Sequence, residues 1–109
     1  MIISVLGPLT GTRGITVRLH ASTGIRNATF RYDDARARIH LRRATVRMFH
    51  LNRRSMVATL RGSAFDAMHK RSITFTIVVG NGARAPFRIS VAGGYRKHGT
   101  VAGTIGISA

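Results

Sequence analysis

Two-residue alternation of apolar and polar side chains is the feature that most limits what this chain can fold into. It is clearest from Ser72 to Val91. Ile73, Phe75, Ile77 and Val79 alternate with Ser72, Thr74, Thr76 and Val78. After Gly80-Asn81-Gly82, the residues Phe87, Ile89 and Val91 alternate with Arg88 and Ser90. A period of two places the two sets on opposite faces of a strand. Gly and Asn tolerate the positive φ of tight turns. The stretch therefore predicts a β-hairpin with one buried face.

The same pattern recurs along the chain. Residues 2 to 6 read as a first strand, or as the start of a segment cut from a longer chain. Gly7-Pro8 and Gly11-Thr12-Arg13-Gly14 are breaks. Ile15, Val17 and Leu19 alternate with Thr16, Arg18 and His20, and Ala21 to Gly24 is a loop. Ala28, Phe30 and Tyr32 alternate with Thr29 and Arg31 before Asp33-Asp34, which carries turn chemistry. Ala37, Ile39 and Leu41 alternate with Arg36, Arg38, His40 and Arg42, predicting a strand with a basic face. Thr45 to Leu51 is apolar on both registers, as in a doubly covered or bulged strand. A short helix also fits its spacing, but Thr, Val and Phe favour the strand.

Asn52-Arg53-Arg54 reads as a turn and Ser55 to Arg61 as a strand. Gly62 to Lys70 reads as a polar connection, with at most one helical turn at Ala64 to Met68. Ala92 to Gly99 reads as a loop and Thr100 to Ser108 as the last strand. Eight or nine short strands with a turn about every ten residues predict one all-β domain over residues 1–109. The architecture is a single antiparallel β-sandwich or partly closed barrel.

Composition matters mainly through charge. Lys+Arg is 18 against Asp+Glu 3, a net charge of +15, and only Lys70 and Lys97 are lysines. So large an excess must face water or an anionic partner: an anionic polymer, an acidic protein surface or nucleic acid. The competing reading is a solvated face on a protein of biased composition. There is no cysteine, which removes disulfides, thiolate metal sites and thiol nucleophiles. Met1 to Leu9 lacks the basic region and cleavage site of a signal peptide. No run approaches the roughly 18 apolar residues of a membrane helix.

Several stretches resemble, in order, those of the post-COAP domain, a small bacterial module of secreted multidomain proteins. Tyr32 to Leu41 resembles the strand before that family's Ser/Thr-rich step. Asn52 to Gly62, ending Ala58-Thr59-Leu60-Arg61-Gly62, resembles its N-x-A-T-x-x-G strand. Ile73 to Val79 resembles its Y-x-F-T-V-x-V strand, Phe87 to Val91 its F-R-I-x-I strand, and Gly94-Tyr95 through Ile107 its closing segment. Two departures stand out. Ala83-Arg84-Ala85-Pro86 occupies the place of an acidic loop, and Ala102-Gly103 that of a Gly pair. The resemblance implies a non-enzymatic β accessory module, extracellular or at the cell surface, and carries over no catalytic residues.

The residues themselves point away from catalysis. Asp33 and Asp34 are adjacent, so a strand would aim them at opposite faces rather than at one substrate. No nucleophile-elbow motif accompanies the serines. His20, His40, His50, His69 and His98 are scattered, without the paired spacing of metal ligands. No enzyme activity, metal or cofactor is expected. The candidate site is instead a basic stripe: Arg36, Arg38, His40 and Arg42 on one strand face, with Arg43, Arg47, Arg53 and Arg54 on the next strand and its turn. Arg suits phosphate, sulfate and carboxylate because its planar fork binds two oxygens at once. Tyr95, Arg96 and Lys97 form a secondary candidate in a glycine-bounded loop, and Tyr32 and Tyr95 are the candidate base-stackers for a nucleic-acid reading. A third reading is self-assembly, with the apolar N-terminal strand adding to the sheet edge of another copy.

Overall fold

The computed structural model describes residues 2–11 and 14–106. Eight antiparallel strands run in sequence order around a closed up-and-down barrel: β1 (Ile2–Pro8), β2 (Ile15–Ser22), β3 (Asn27–Asp34), β4 (Ile39–Asn52), β5 (Val57–Asp66), β6 (Arg71–Val79), β7 (Gly82–Val91) and β8 (Tyr95–Gly106). The alternation settles the faces. Phe75↔Val91, Ile77↔Ile89 and Val79↔Phe87 pair inward across β6–β7, while Thr76↔Ser90 and Val78↔Arg88 pair outward. The other strands repeat this, β4 with two interruptions, and an eight-stranded barrel is just narrow enough for side chains to fill. Phe30 stacks on Phe75 with centroids 5.4 Å apart, and Leu41, Leu60 and Phe87 pack into the same continuous core. The outward registers carry mainly Thr, Ser, Arg and His. Among the described residues, no helix is long and apolar enough to cross a membrane.

Closure falls to β1, which pairs with β2 on one edge and with β8 on the other, from Ile2↔Gly106 to Val5↔Gly103. Ile2 to Val5 are thus paired on both edges, whereas Leu6 to Pro8 pair only with β2. The loop after it folds over β8: Thr10 N–H donates to the Thr100 carbonyl at 2.8 Å, and Leu9 is buried at that end of the core.

β4 is the irregular strand. Its register shifts between Arg42 and Ala44 and again between Val46 and Met48, leaving Arg43 (φ 52°) and Arg47 as bulged residues. Bulges sharpen local bending and help a sheet curl on itself. Opposite the second shift sits Gly62, where a Cβ would land on the Thr45 carbonyl oxygen. The double-register apolarity of Thr45 to Leu51 is thus that of a bulged strand, one of the two strand readings the sequence allowed.

Three hairpins share one turn design. An Asx residue ends or closes the first strand, and a non-glycine residue four positions on takes positive φ: Asp34 with Arg38 (55°), Asn52 with Met56 (52°), Asp66 with Lys70 (51°). Each Asx side chain accepts from backbone N–H groups inside its turn: Asp34 from Ala37, Asn52 from Arg54 and Ser55, Asp66 from Met68 and His69. This local capping stabilises the turn without glycine.

Three sequence expectations need correction. Arg36 to Arg38 is the β3–β4 turn, because the Asp34 cap and the left-handed Arg38 reverse the chain before a strand can start. Gly62 to Asp66 is not a polar connection with a helical turn but the second half of β5, with Ala64 buried and Phe65 exposed in alternation. β8 begins at Tyr95 rather than Thr100, since the β7–β8 turn needs only Ala92 to Gly94. Ile107 and Ser108, expected to end the last strand, lie outside the described residues, as do Thr12 and Arg13.

Candidate anion-binding surface

The expected basic stripe does not assemble. Arg36 and Arg38 lie in the turn at one end of β4, Arg53 and Arg54 in the turn at its other end. The 14 residues of β4 separate them by roughly 40 Å, several screening lengths at physiological salt. Between them, His40 and Arg42 are already engaged. Asp33 accepts from Arg31 Nε at 3.0 Å and from His40 Nδ1 and Arg42 Nη1 at 2.8 Å each. Burial alone would raise the Asp33 carboxyl, but the hydrogen bonds from His40, Arg42 and Arg31 hold it below its usual 3.8. Arg43 is exposed on its bulge.

The secondary candidate is split by alternation. Arg96 points outward, whereas Tyr95 and Lys97 fall on the inward register, paired with Val91 and Ile89. The Tyr95 hydroxyl donates to Asp34 Oδ2 at 2.6 Å and receives the Tyr32 hydroxyl at 2.7 Å. Asp34 and Tyr32 are both buried. Burial pushes the Tyr32 hydroxyl up to about 12, against a lowering by its hydrogen bond with Tyr95 and with a further rise from the Asp34 charge. Tyr95 rises further, through burial first and then its bonds to Asp34 and Tyr32. Tyr32 is fully buried and out of reach of a base, and Tyr95 is partly buried with its hydroxyl tied to Asp34. Phe65 is the exposed aromatic residue among those described.

A different set of cations does converge. Arg61↔Thr76, Thr76↔Ser90 and Ser90↔Arg96 are direct cross-strand pairs, so these four outward residues form one row across β5, β6, β7 and β8. At about 4.8 Å per strand, the two arginines stand roughly 14 Å apart with two hydroxyls between them. The Arg47 bulge overhangs the Arg61 end. An open depression of about 460 Å³ results, lined by Arg47, Arg61, Arg96, Thr74, Thr76, Ser90 and the Gly93-Gly94 turn. Among the described residues, none of these three arginines has an ion pair. All three acidic side chains lie elsewhere, at the ends of β3 and β5.

No family model, curated protein or solved structure matches this chain.

The depression unites Arg47 and Arg96, which the sequence placed in two separate candidates, with Arg61, Thr74, Thr76 and Ser90, which it placed in none. The available signal was weak but real. Thr74, Thr76 and Ser90 sit on polar registers of well-predicted strands, and Arg61 stands at the expected end of β5. What sequence could not supply was the register that aligns four strands into one row.

Proposed function

We propose that this chain is a non-catalytic β-barrel binding module that holds an anionic polymer across the outer face of β5 to β8. The observation that carries this reading is the convergence of Arg47, Arg61 and Arg96, unpaired, over a hydroxyl floor. Arginine forks would grip successive sulfates, phosphates or carboxylates, and Thr74, Thr76 and Ser90 would donate to the same oxygens. The aromatic ring that lines the depression, Phe75, is buried on the inward register, so bases would find little exposed ring face to stack on there. This favours an anionic glycan or wall polymer over single-stranded nucleic acid. The engagement of the carboxylates, two in turn caps and one in an ion-pair cluster, supports a non-catalytic role. The resemblance to post-COAP modules supports a place outside the cell or on its surface.

Heparin affinity tests the reading. The double variant Arg61→Glu/Arg96→Glu should elute at much lower salt and bind more than tenfold more weakly, while Arg36→Glu/Arg38→Glu, also a reversal of two charges, should change binding far less. Equal losses from both pairs would reduce the surface to a general positive field. A single-stranded oligonucleotide that outcompetes heparin would overturn the choice of polymer.

A further inference from the structure

A second surface, adjoining the first at Arg47, lies at the acid-free end of the barrel, where β4 outruns its neighbour. β3 pairs with β4 only as far as Asn27↔Thr45, and one more bond joins Val46 N–H to the Arg26 carbonyl at 2.6 Å. β4 continues to Asn52, paired with β5 on its other side. Its segment Arg47–Asn52, roughly 20 Å long at about 3.3 Å per residue, therefore presents a strand edge that no described strand covers. Such edges are templates for another strand.

The surroundings define what would fit. A cleft of about 230 Å³ lies between this edge and the β2–β3 loop, with Ile25, Val46 and Phe49 supplying apolar walls. Arg26 and Arg47 flank it, and Arg53 and Arg54 continue the positive field to the hairpin tip. No acidic side chain lies at this end. Phe49 and Leu51 face inward along the edge while Met48 and His50 face out.

We propose that the free edge of β4 docks an extended acidic segment of a partner protein by strand addition, apolar side chains facing the Ile25–Phe49 cleft and carboxylates facing the arginines. A second copy of this chain fits poorly, because it brings a net charge of +15 and three acidic side chains, two of them buried. The occupant is thus a different polypeptide, held by backbone hydrogen bonds for affinity and by alternating side chains for register.

The test uses an alternating Val-Glu peptide of about ten residues, long enough to span the edge, and an unstructured polyglutamate of equal charge. Hydrogen exchange should show new protection of the Arg47–Asn52 amides with the Val-Glu peptide and not with polyglutamate. Arg26→Glu/Arg53→Glu, which leaves the β5–β8 depression intact, should weaken the peptide about tenfold or more and heparin much less. Protection absent from Arg47–Asn52, or equal for both peptides, would refute the proposal. So would protection of that edge rising with protein concentration alone, which would seat a second copy there. Loss of heparin binding on Arg61→Glu/Arg96→Glu with peptide binding retained keeps the two sites distinct.

Discussion

Asp33 and the two tyrosines give the molecule opposite limits of pH. Asp33 titrates below its usual 3.8 in the folded state, so the stability it contributes is fully present above that value and is lost as pH falls through the lowered one. Asp33→Asn should flatten the acid limb of a stability–pH curve below about pH 4 and leave the neutral region nearly parallel. At the other end, Tyr32 holds its proton to about 12 against an ordinary 10.0, so stability is lost as pH rises through that window. The chain has two tyrosines, and both belong to this pair. Tyrosinate absorbance should therefore appear only together with loss of the folded circular-dichroism signal. Phenolate appearing near pH 10 in folded protein would show the hydrogen-bond chain to be open. The left-handed Lys70 is a third residue-scale probe: Lys70→Gly should stabilise by about 0.5–1 kcal/mol in thermal melts, because glycine takes positive φ without a Cβ clash.

At the scale of elements, the pinch between β4 and β5 is the least forgiving point. Gly62→Ala drives a methyl into the Thr45 carbonyl, where β4 has bulged toward β5, and should destabilise by about 3 kcal/mol or more. Most strands were legible because their apolar and polar residues alternate, without exception in β2 and over most of β6 and the Phe87–Val91 half of β7. The misread segments share a physical cause. Arg36-Ala37-Arg38 alternates by composition, but an Asx cap and one left-handed residue override the pattern, and arginine is not a residue that announces positive φ. Gly62-Ser63-Ala64 looked like a connection because small residues are what a crowded barrel corner demands. β1 was legible as a strand, yet its role was not: closure depends on which edges meet, and that is a long-range property. Deleting residues 1–9 would expose edges of β2 and β8 together, so the shortened protein should aggregate rather than remain a barrel, as light scattering would show.

Over the whole molecule, the excess of cations works against the compact state. Raising ionic strength from about 10 to 150 mM shortens the screening length from roughly 30 to 8 Å and should raise the melting temperature. A melting temperature independent of salt would mean that the charges are already spaced beyond mutual influence. The composition left open whether the cations meet an anionic partner or only water, and it could not say which surface would carry such a contact. Sixteen of the 18 cations are arginines spread over nearly every strand and turn, so proximity in sequence carried little information about proximity in space. The stripe inferred along β4 failed because a 14-residue strand is as long as the molecule, whose greatest extent is 40 Å. The row Arg61–Thr76–Ser90–Arg96 succeeded because it runs across strands, where successive residues are only one hydrogen-bonding distance apart.

The pairing of Ile2 with Gly106 brings the first and last strands side by side. In topological terms the barrel is a ring of eight strands with seven turns and one nick, and the position of the nick is incidental to the packing. Sealing it with a short flexible linker and reopening the ring at Gly80-Asn81 would give a circular permutant that keeps every strand neighbour while carrying its new ends at the β6–β7 turn.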